Sequence, residues 1–318
     1  MNICVVGNGN IVKRFLEDVQ SIEDARLTAI CVREASREKG AALSEKYRIP
    51  LLFTDYSAAL LEPSIDTVYL GISNHIHYLY TKQALEAGKN VICEKPFTVN
   101  PSETGELAAL AEKSGLFLWE ACKIPYSPTF KTLREQLPLI GALRVIRCNY
   151  SRKSSRYTDF QNGILHPAFD PEKAGGSLYD INIYNLHLTA ALFGAPKAVH
   201  YYANYGSNGV DISGTAVLEY DGFHAVCTGA KDSTSPSGVV LQGEKGYLRL
   251  EGPASSAAKV FLSLDGDERC ILETPDNGKL TEEVKEFVRQ YREQDRDACR
   301  KMLDHSLLVM NIVEQCLR

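Results

Sequence analysis

The sequence predicts an α/β protein with an N-terminal doubly wound parallel sheet and a C-terminal α+β domain built on a mainly antiparallel open sheet. Three observations predict it. An apolar strand at 2–6 runs straight into Gly7-Asn8-Gly9 and a helical stretch. Strand and helix patterns then alternate through residue 120, as parallel βαβ units do. After a helix at 177–193 strands dominate, some separated by turns such as Asp221-Gly222 and Asp265-Gly266, which favour hairpins. The change of character near Ala121 divides the chain into a first domain, 1–121, and a second, 122–318.

A chain of 318 residues has room for two domains. Hydrophobic residues at 44% and charged residues at 24% are those of an ordinary globular protein. A net charge of −5 disfavours a nucleic-acid or membrane-surface role. No signal pattern and no apolar run long enough for a membrane span occurs, so a cytoplasmic protein is expected. The nine cysteines are odd in number and include no CxxC pair; they read as small buried hydrophobes in a reducing compartment.

Residues 2–6 form the first strand. Gly7-Asn8-Gly9-Asn10-Ile11-Val12 follows and opens a helix, the context of a dinucleotide fingerprint and of a Rossmann domain. Gly7 permits the tight turn, and Gly9 lets backbone approach a pyrophosphate at the helix N-terminus. Val12 stands where a third glycine usually eases helix–strand packing. The second strand, 26–32, is followed by Arg33-Glu34. An arginine there suits the 2′-phosphate of NADP and an acidic residue suits the ribose of NAD, so Arg33 points to NADP with NAD as the alternative. The plain reading makes Arg33 and Arg37 solvated charges at a helix start.

A helix at 36–47 with Ser36 as its cap, a strand at 51–53, a short helix at 56–61 and a buried strand at 65–70 continue the alternation. Gly71-Ile72-Ser73-Asn74-His75-Ile76-His77 makes the next strand-to-helix turn, and residues 78–87 are helical up to Gly88. Asn90-Val91-Ile92-Cys93-Glu94-Lys95-Pro96 is a strand that ends in charge, at the strand end where open α/β sheets bind ligands. A helix at 102–114 and a strand at 116–120 complete the domain. Then come a helix at 127–137, a strand at 142–150, a polar stretch without clear period at 151–173, Gly175-Gly176 and the long helix 177–193. Seven strands between 197 and 273 and two helices, 281–292 and 296–316, close the chain.

Glu94-Lys95-Pro96 after an N-terminal fingerprint, followed by Gly175-Gly176-Ser177-Leu178-Tyr179-Asp180, resembles the glucose–fructose oxidoreductase / inositol dehydrogenase / MocA (Gfo/Idh/MocA) family, with the dihydrodiol dehydrogenase-like group most similar. The resemblance covers nearly the whole chain. It implies an N-terminal NAD(P)-binding Rossmann domain and a substrate-binding and oligomerisation domain, assembled as a homodimer or homotetramer. It implies Lys95 and Asp180 as catalytic residues, with Tyr184 where the family carries a proton-handling His or Tyr. Asn74 and His77 match positions near the nicotinamide ribose. Ser73 stands where a Pro is usual, and Pro125 where an Arg is often found. The expected cofactor contacts are Gly7, Asn8, Gly9, Asn10, Ile11, Arg33, Ser73, Asn74, His77, Glu94 and Lys95; Glu94 also reads as a residue that holds the turn.

Oxidising an alcohol needs a base for the hydroxyl proton and a cation for the developing alkoxide. Asp180, Tyr184 and His187 lie at i, i+4 and i+7 and are expected on one helix face. The expected roles are Tyr184 as acid/base, Lys95 as alkoxide stabiliser, Asp180 as orienter, and His187 as a substrate contact. The plain readings are a solvated Lys95, a salt-bridging Asp180, a packed Tyr184 and a buried His187. His75 and His77 lack the companions of a metal site, so no metal is expected. The expected function is an NAD(P)-dependent dehydrogenase or reductase of a sugar, polyol, cyclic diol or related carbonyl compound. A non-catalytic dinucleotide-sensing regulator is the alternative.

Overall fold

The computed structural model describes residues 1–274 and 279–318. The chain divides into two compact units, Met1–Cys122 with Lys279–Leu307, and Lys123–Gly278 with Leu308–Arg318.

The first unit alternates β1 (Asn2–Val6), α1 (Asn10–Val19), β2 (Arg26–Cys31), α2 (Arg37–Tyr47), β3 (Leu51–Phe53), α3 (Tyr56–Leu61), β4 (Thr67–Leu70), α4 (His77–Glu86), β5 (Asn90–Glu94), α5 (Pro101–Ser114) and β6 (Leu118–Ala121). All pairings are parallel, in the order β3-β2-β1-β4-β5-β6. Every residue of β4, β5 and β6 is buried, which is why these strands read as continuous apolar runs. α1 buries Val12, Phe15, Leu16 and Val19 against the sheet, and Phe15 stacks on Tyr69 of β4 with centroids 3.6 Å apart. α5 starts where Asn100 accepts the Glu103 N–H at 2.9 Å and Pro101 fills the first turn, and it ends at left-handed Gly115. Ser36 occupies the position before α2, but its side chain makes no capping bond; a 3₁₀ turn, Glu34–Ser36, leads in instead.

The second unit contains α6 (Pro128–Gln136), β7 (Leu143–Ser151), α7 (Tyr157–Gln161), a π turn (Leu178–Asn182), α8 (Ile183–Phe193), β8 (Ala198–Tyr205), β9 (Asp211–Tyr220), β10 (Phe223–Ala230), β11 (Gly238–Gly243), β12 (Gly246–Glu251), β13 (Lys259–Leu264) and β14 (Asp267–Glu273). The eight strands run β14-β13-β12-β11-β7-β10-β9-β8. All neighbours are antiparallel except β7 and β10, which a long connection carrying α7, α8, β8 and β9 separates. α8 lies on one face, where the Thr189 hydroxyl is 3.6 Å from Cys227 Sγ. The stretch 151–173 is more ordered than its polarity suggests. It holds α7 and two 3₁₀ turns, Pro167–Phe169 and Pro171–Lys173. Phe160, Phe169 and Val210 form a small core beneath it, joined by Tyr157, Ala168 and Ile212.

Two helices end the chain, α9 (Thr281–Glu293) and α10 (Arg296–Leu317). α9 and the start of α10 group with the first unit, whereas the sequence reading put 122–318 together. Trp119 of β6 donates its indole N–H to Gln290 at 2.7 Å and stacks on Phe287 at 5.4 Å. Asp18 accepts the Leu280 N–H at 2.8 Å. Among the described residues no helix is long and apolar enough to cross a membrane, and no cluster of His, Cys, Asp or Glu has the arrangement of a metal site.

Candidate active site

In the first unit the predicted residues collect at the carboxyl edge of one parallel sheet. Gly7 to Ile11 follow β1, Ser73 and Asn74 follow β4, and Lys95 follows β5. β1 and β4 are neighbours at which the strand order reverses, the point where open α/β sheets hold ligands.

Gly7 sits at φ +115°, and a Cβ there would run into the Gly71 carbonyl oxygen, so both its conformation and its surroundings require glycine. Its N–H reaches the Cys31 carbonyl at 2.9 Å. At Gly9 a Cβ would meet nothing within 4 Å. No neighbour of its own requires glycine there. Gly9 is the N-cap of α1, with no side-chain cap and no acidic residue in the first turn. Asn8 is half-buried and Asn10 exposed at the same helix end. Such a helix end, with backbone N–H groups open and no carboxylate beside it, has the character that favours anions in general. Val12 is accommodated from the opposite strand: a Cβ on Gly71 would lie 2.5 Å from Val12 Cγ2. The vacancy that a third glycine normally supplies on the helix is supplied here by Gly71.

Arg33 is exposed just beyond β2. Glu34 beside it is engaged elsewhere. A hydrogen bond from Thr54, then the Arg37 guanidinium 3.4 Å away, holds its carboxyl below the usual range.

The turn that carries Lys95 is pinned on all sides. The Tyr69 hydroxyl donates to Glu94 at 2.6 Å; burial, then the Glu94 charge, pushes the phenol well above its ordinary value, so it stays a donor. His77 is fully buried, its Nδ1 2.8 Å from the Pro96 oxygen and its Nε2 3.3 Å from the Ile72 oxygen. Burial lowers its pKa, so the ring is neutral, and the shorter contact assigns its single N–H to Nδ1. The Phe97 N–H donates to Glu120 at 3.1 Å. Ser73 and Asn74 are half-buried around the 3₁₀ turn Asn74–Ile76, and Ser73 makes no capping bond. Glu120 escaped the sequence reading, although a lone acidic residue in an apolar strand was the available signal.

The second unit builds its own constellation. Gly176 has φ +108°, and a Cβ there would strike the Asp211 carboxylate. Asp211 accepts the Leu178 N–H at 2.7 Å and the Tyr201 hydroxyl at 2.7 Å; burial raises its carboxyl pKa. The backbone then makes the π turn, an irregularity common at functional sites, and Asp180 lies within it. Asp180 pairs with buried Lys231 at 2.7 Å. Asn182 and Asn185 fasten the helix to β10 through the carbonyls of Cys227 and Thr228, at 2.9 and 3.0 Å. The π turn disturbs the expected stacking at i, i+4 and i+7. Asp180 and Tyr184 reach the surface, with Tyr150 beside Tyr184 at 6.2 Å between centroids, while His187 is fully buried. Lys231, Asp211, Asn182 and Asn185 were not singled out from the sequence.

Comparison with known proteins identifies the family. Residues 1–121 match the Gfo/Idh/MocA oxidoreductase family with an NAD-binding Rossmann fold, and residues 133–249 match the Gfo/Idh/MocA C-terminal domain. The scyllo-inositol 2-dehydrogenase (NADP(+)) IolU of Bacillus subtilis is 34% identical over 315 residues, covering 99% of this chain and 95% of its own. The trans-1,2-dihydrobenzene-1,2-diol dehydrogenase of Bos taurus is 30% identical over 242 residues, 74% of this chain and 69% of its own. Among solved structures, the 3-ketoreductase KijD10 of Actinomadura kijaniata with NADP and TDP-benzene shares the fold at a TM-score of 0.86, with 20% identity and coverage of 100% and 97%. The chain belongs to the Gfo/Idh/MocA family of oxidoreductases.

Proposed function

We propose that the protein transfers a hydride between NADP and a secondary alcohol or ketone of a sugar, polyol or cyclic diol, with NAD as the weaker cofactor. One observation carries the reading: a lysine in a turn held at the carboxyl end of β5, in a chain 34% identical along 99% of its length to a scyllo-inositol 2-dehydrogenase (NADP(+)). The two relatives of 30% identity or more are named as dehydrogenases of scyllo-inositol and of trans-1,2-dihydrobenzene-1,2-diol, which supports the substrate class. The open approach at Gly9 and the exposed Arg33 beside an engaged Glu34 support the phosphorylated cofactor.

Asn8, Gly9, Asn10 and Ile11 would hold the pyrophosphate, Arg33 the 2′-phosphate, and Ser73, Asn74 and the Glu94-Lys95 turn the nicotinamide half, with His77 supporting that turn from beneath. Bound NADP supplies the hydride acceptor in one direction and NADPH the donor in the other. The chain supplies the rest. In the oxidation direction the Tyr184 phenolate would take the alcohol O–H proton and become the phenol, and Lys95 would offset the negative charge that develops on the substrate oxygen as the C–H bond breaks. A free phenol titrates near roughly 10, so proton exchange by a tyrosine near neutrality requires a cation close to it in the working enzyme. Asp180 accepts a second substrate hydroxyl and fixes which carbon is presented.

The reading includes a cytoplasmic homodimer or homotetramer. All nine cysteines are free, as in a reducing compartment. The sheet face that α8 leaves uncovered carries half-buried Val145, Val217, Val226 and Val240, suited to a second copy.

The test is turnover with NADP(H) and NAD(H) across inositols, aldoses and cyclic diols, in wild type and Lys95→Met. Loss of the cation is expected to lower kcat by about 10²–10³ with cofactor affinity kept within a few-fold. Absence of cofactor binding in calorimetry, or a Lys95→Met enzyme as fast as wild type, overturns it.

A further inference from the structure

A buried ammonium must direct all three of its protons at acceptors. Lys231, the residue after β10, does so. Its side chain is 3% exposed. Its Nζ is 2.7 Å from Asp180 Oδ2, 2.5 Å from the Ala168 oxygen and 3.4 Å from the Gly176 oxygen. It also lies 4.6 Å from the centre of the Phe169 ring.

These partners come from two places. Asp180 belongs to the π turn, and Ala168, Phe169 and Gly176 belong to the segment leading into it. That segment is itself fixed. Phe169 stacks on Phe160 at 5.0 Å, and its carbonyl accepts from Asn208 at 2.8 Å. Asp211 holds the next N–H of the same turn, at Leu178. Lys231 is thus the group that joins the Asp180 carboxylate to the 167–176 backbone.

We propose that Lys231 is a positioning residue for the reaction, orienting Asp180 and coupling it to the 167–176 segment. The proposal rests on the function proposed above for Asp180. Its effect is transmitted through Asp180 and not by contact with substrate. Replacing the ammonium with an apolar group leaves two carbonyls and a carboxylate without their shared donor, so the π turn loosens and Asp180 loses its fixed direction. A misplacement of about 1 Å at such a residue costs on the order of 10²-fold in rate.

The experiment has three variants and two readouts. Lys231→Met removes the donor. Lys231→Gln keeps a donor for the carbonyls without the charge and guards against a Met variant that does not fold. Asp180→Asn removes the group acted through. In steady-state turnover, Lys231→Met and Lys231→Gln are expected to lower kcat roughly 10- to 100-fold, with NADPH affinity unchanged. The double variant Asp180→Asn/Lys231→Met is expected to stay within about twofold of Asp180→Asn alone, because residues that act as a unit do not add. A lysine that merely stabilises the fold would give additive losses. The second readout needs no substrate: amide hydrogen exchange is expected to quicken in residues 166–182 of Lys231→Met and to stay unchanged in β1 to β6. Additive losses, unchanged kcat in both Lys231 variants, or unchanged exchange at 166–182 overturns the proposal. A wild type without turnover on any substrate removes the proposed function instead, and the exchange readout then decides the anchoring role by itself.

Discussion

Gly71→Ala is the substitution whose outcome the structure fixes most tightly. The new methyl carbon would lie 2.5 Å from Val12 Cγ2 and 3.1 Å from Tyr69 Cε1, where carbon atoms normally rest about 3.5–4.0 Å apart. Neither neighbour has room to yield. Val12 and Tyr69 are fully buried, and Tyr69 is held by its Phe15 stack and its bond to Glu94. α1 must move instead. Overpacking costs about 1–3 kcal/mol, and a contact this short between buried atoms puts it in the upper half, about 2–3 kcal/mol; the stiffer unfolded chain offsets roughly 0.4–1 kcal/mol, which leaves a net loss of about 1–2.6 kcal/mol. Val12→Ala alone removes two buried methyl groups and costs roughly 2 kcal/mol. In the Gly71→Ala background it also removes the clash, so the pair should fall short of additivity by on the order of 1 kcal/mol. Denaturant unfolding followed by Trp119 fluorescence reads the first unit directly. A Gly71→Ala protein within about 0.5 kcal/mol of wild type, or additive losses in the pair, would refute the argument that Gly71 stands in for the missing fingerprint glycine.

Two further outcomes follow from the same unit. Arg33→Gln should raise the Kd for NADPH about 10- to 100-fold, the value of a charge-assisted phosphate contact, while leaving NADH alone; equal losses for both in fluorescence titration would remove Arg33 from phosphate recognition. His77 is held neutral by burial. The unfolded chain takes up a proton near pH 6.5 that the folded ring refuses, so stability should fall as pH drops below about 6.5 towards the depressed folded value. His77→Gln should flatten that slope between pH 7 and 5 in denaturant melts, and a slope identical to wild type would show that His77 does not carry it.

The parallel sheet was legible because buried strands and short helices alternate with sharp Gly and Asn punctuation, and because βαβ connections leave few topologies. The Lys95 turn was legible from Glu-Lys-Pro at a strand end. What supports that turn was not. Tyr69, His77 and Glu120 meet it from three separate elements, and sequence distance hides such meetings. Val12 looked like a defect because the compensating vacancy lies on another strand, at Gly71. The sequence reads 177–193 as one regular helix, since a π turn has no periodic signature; the structure puts a π turn at Leu178–Asn182 and buries His187. Lys231 resembled any lysine after a strand; only its burial distinguishes it. The 151–173 stretch looked structureless because its small core draws Phe160 and Phe169 together with Val210 from far along the chain.

The grouping of Lys279–Leu307 with the first unit makes the N-terminal fold depend on a segment synthesised only after the intervening residues 123–278. Domains usually fold in the order in which they emerge from the ribosome. Here the strands of the parallel sheet emerge first, yet the aromatic surface at Trp119 and the carboxylate of Asp18 find Phe287, Gln290 and Leu280 only after residues 123–278 have been made. The sheet is therefore born with one flank bare. Removing Lys279–Leu307 would reopen the unit built by Met1–Cys122.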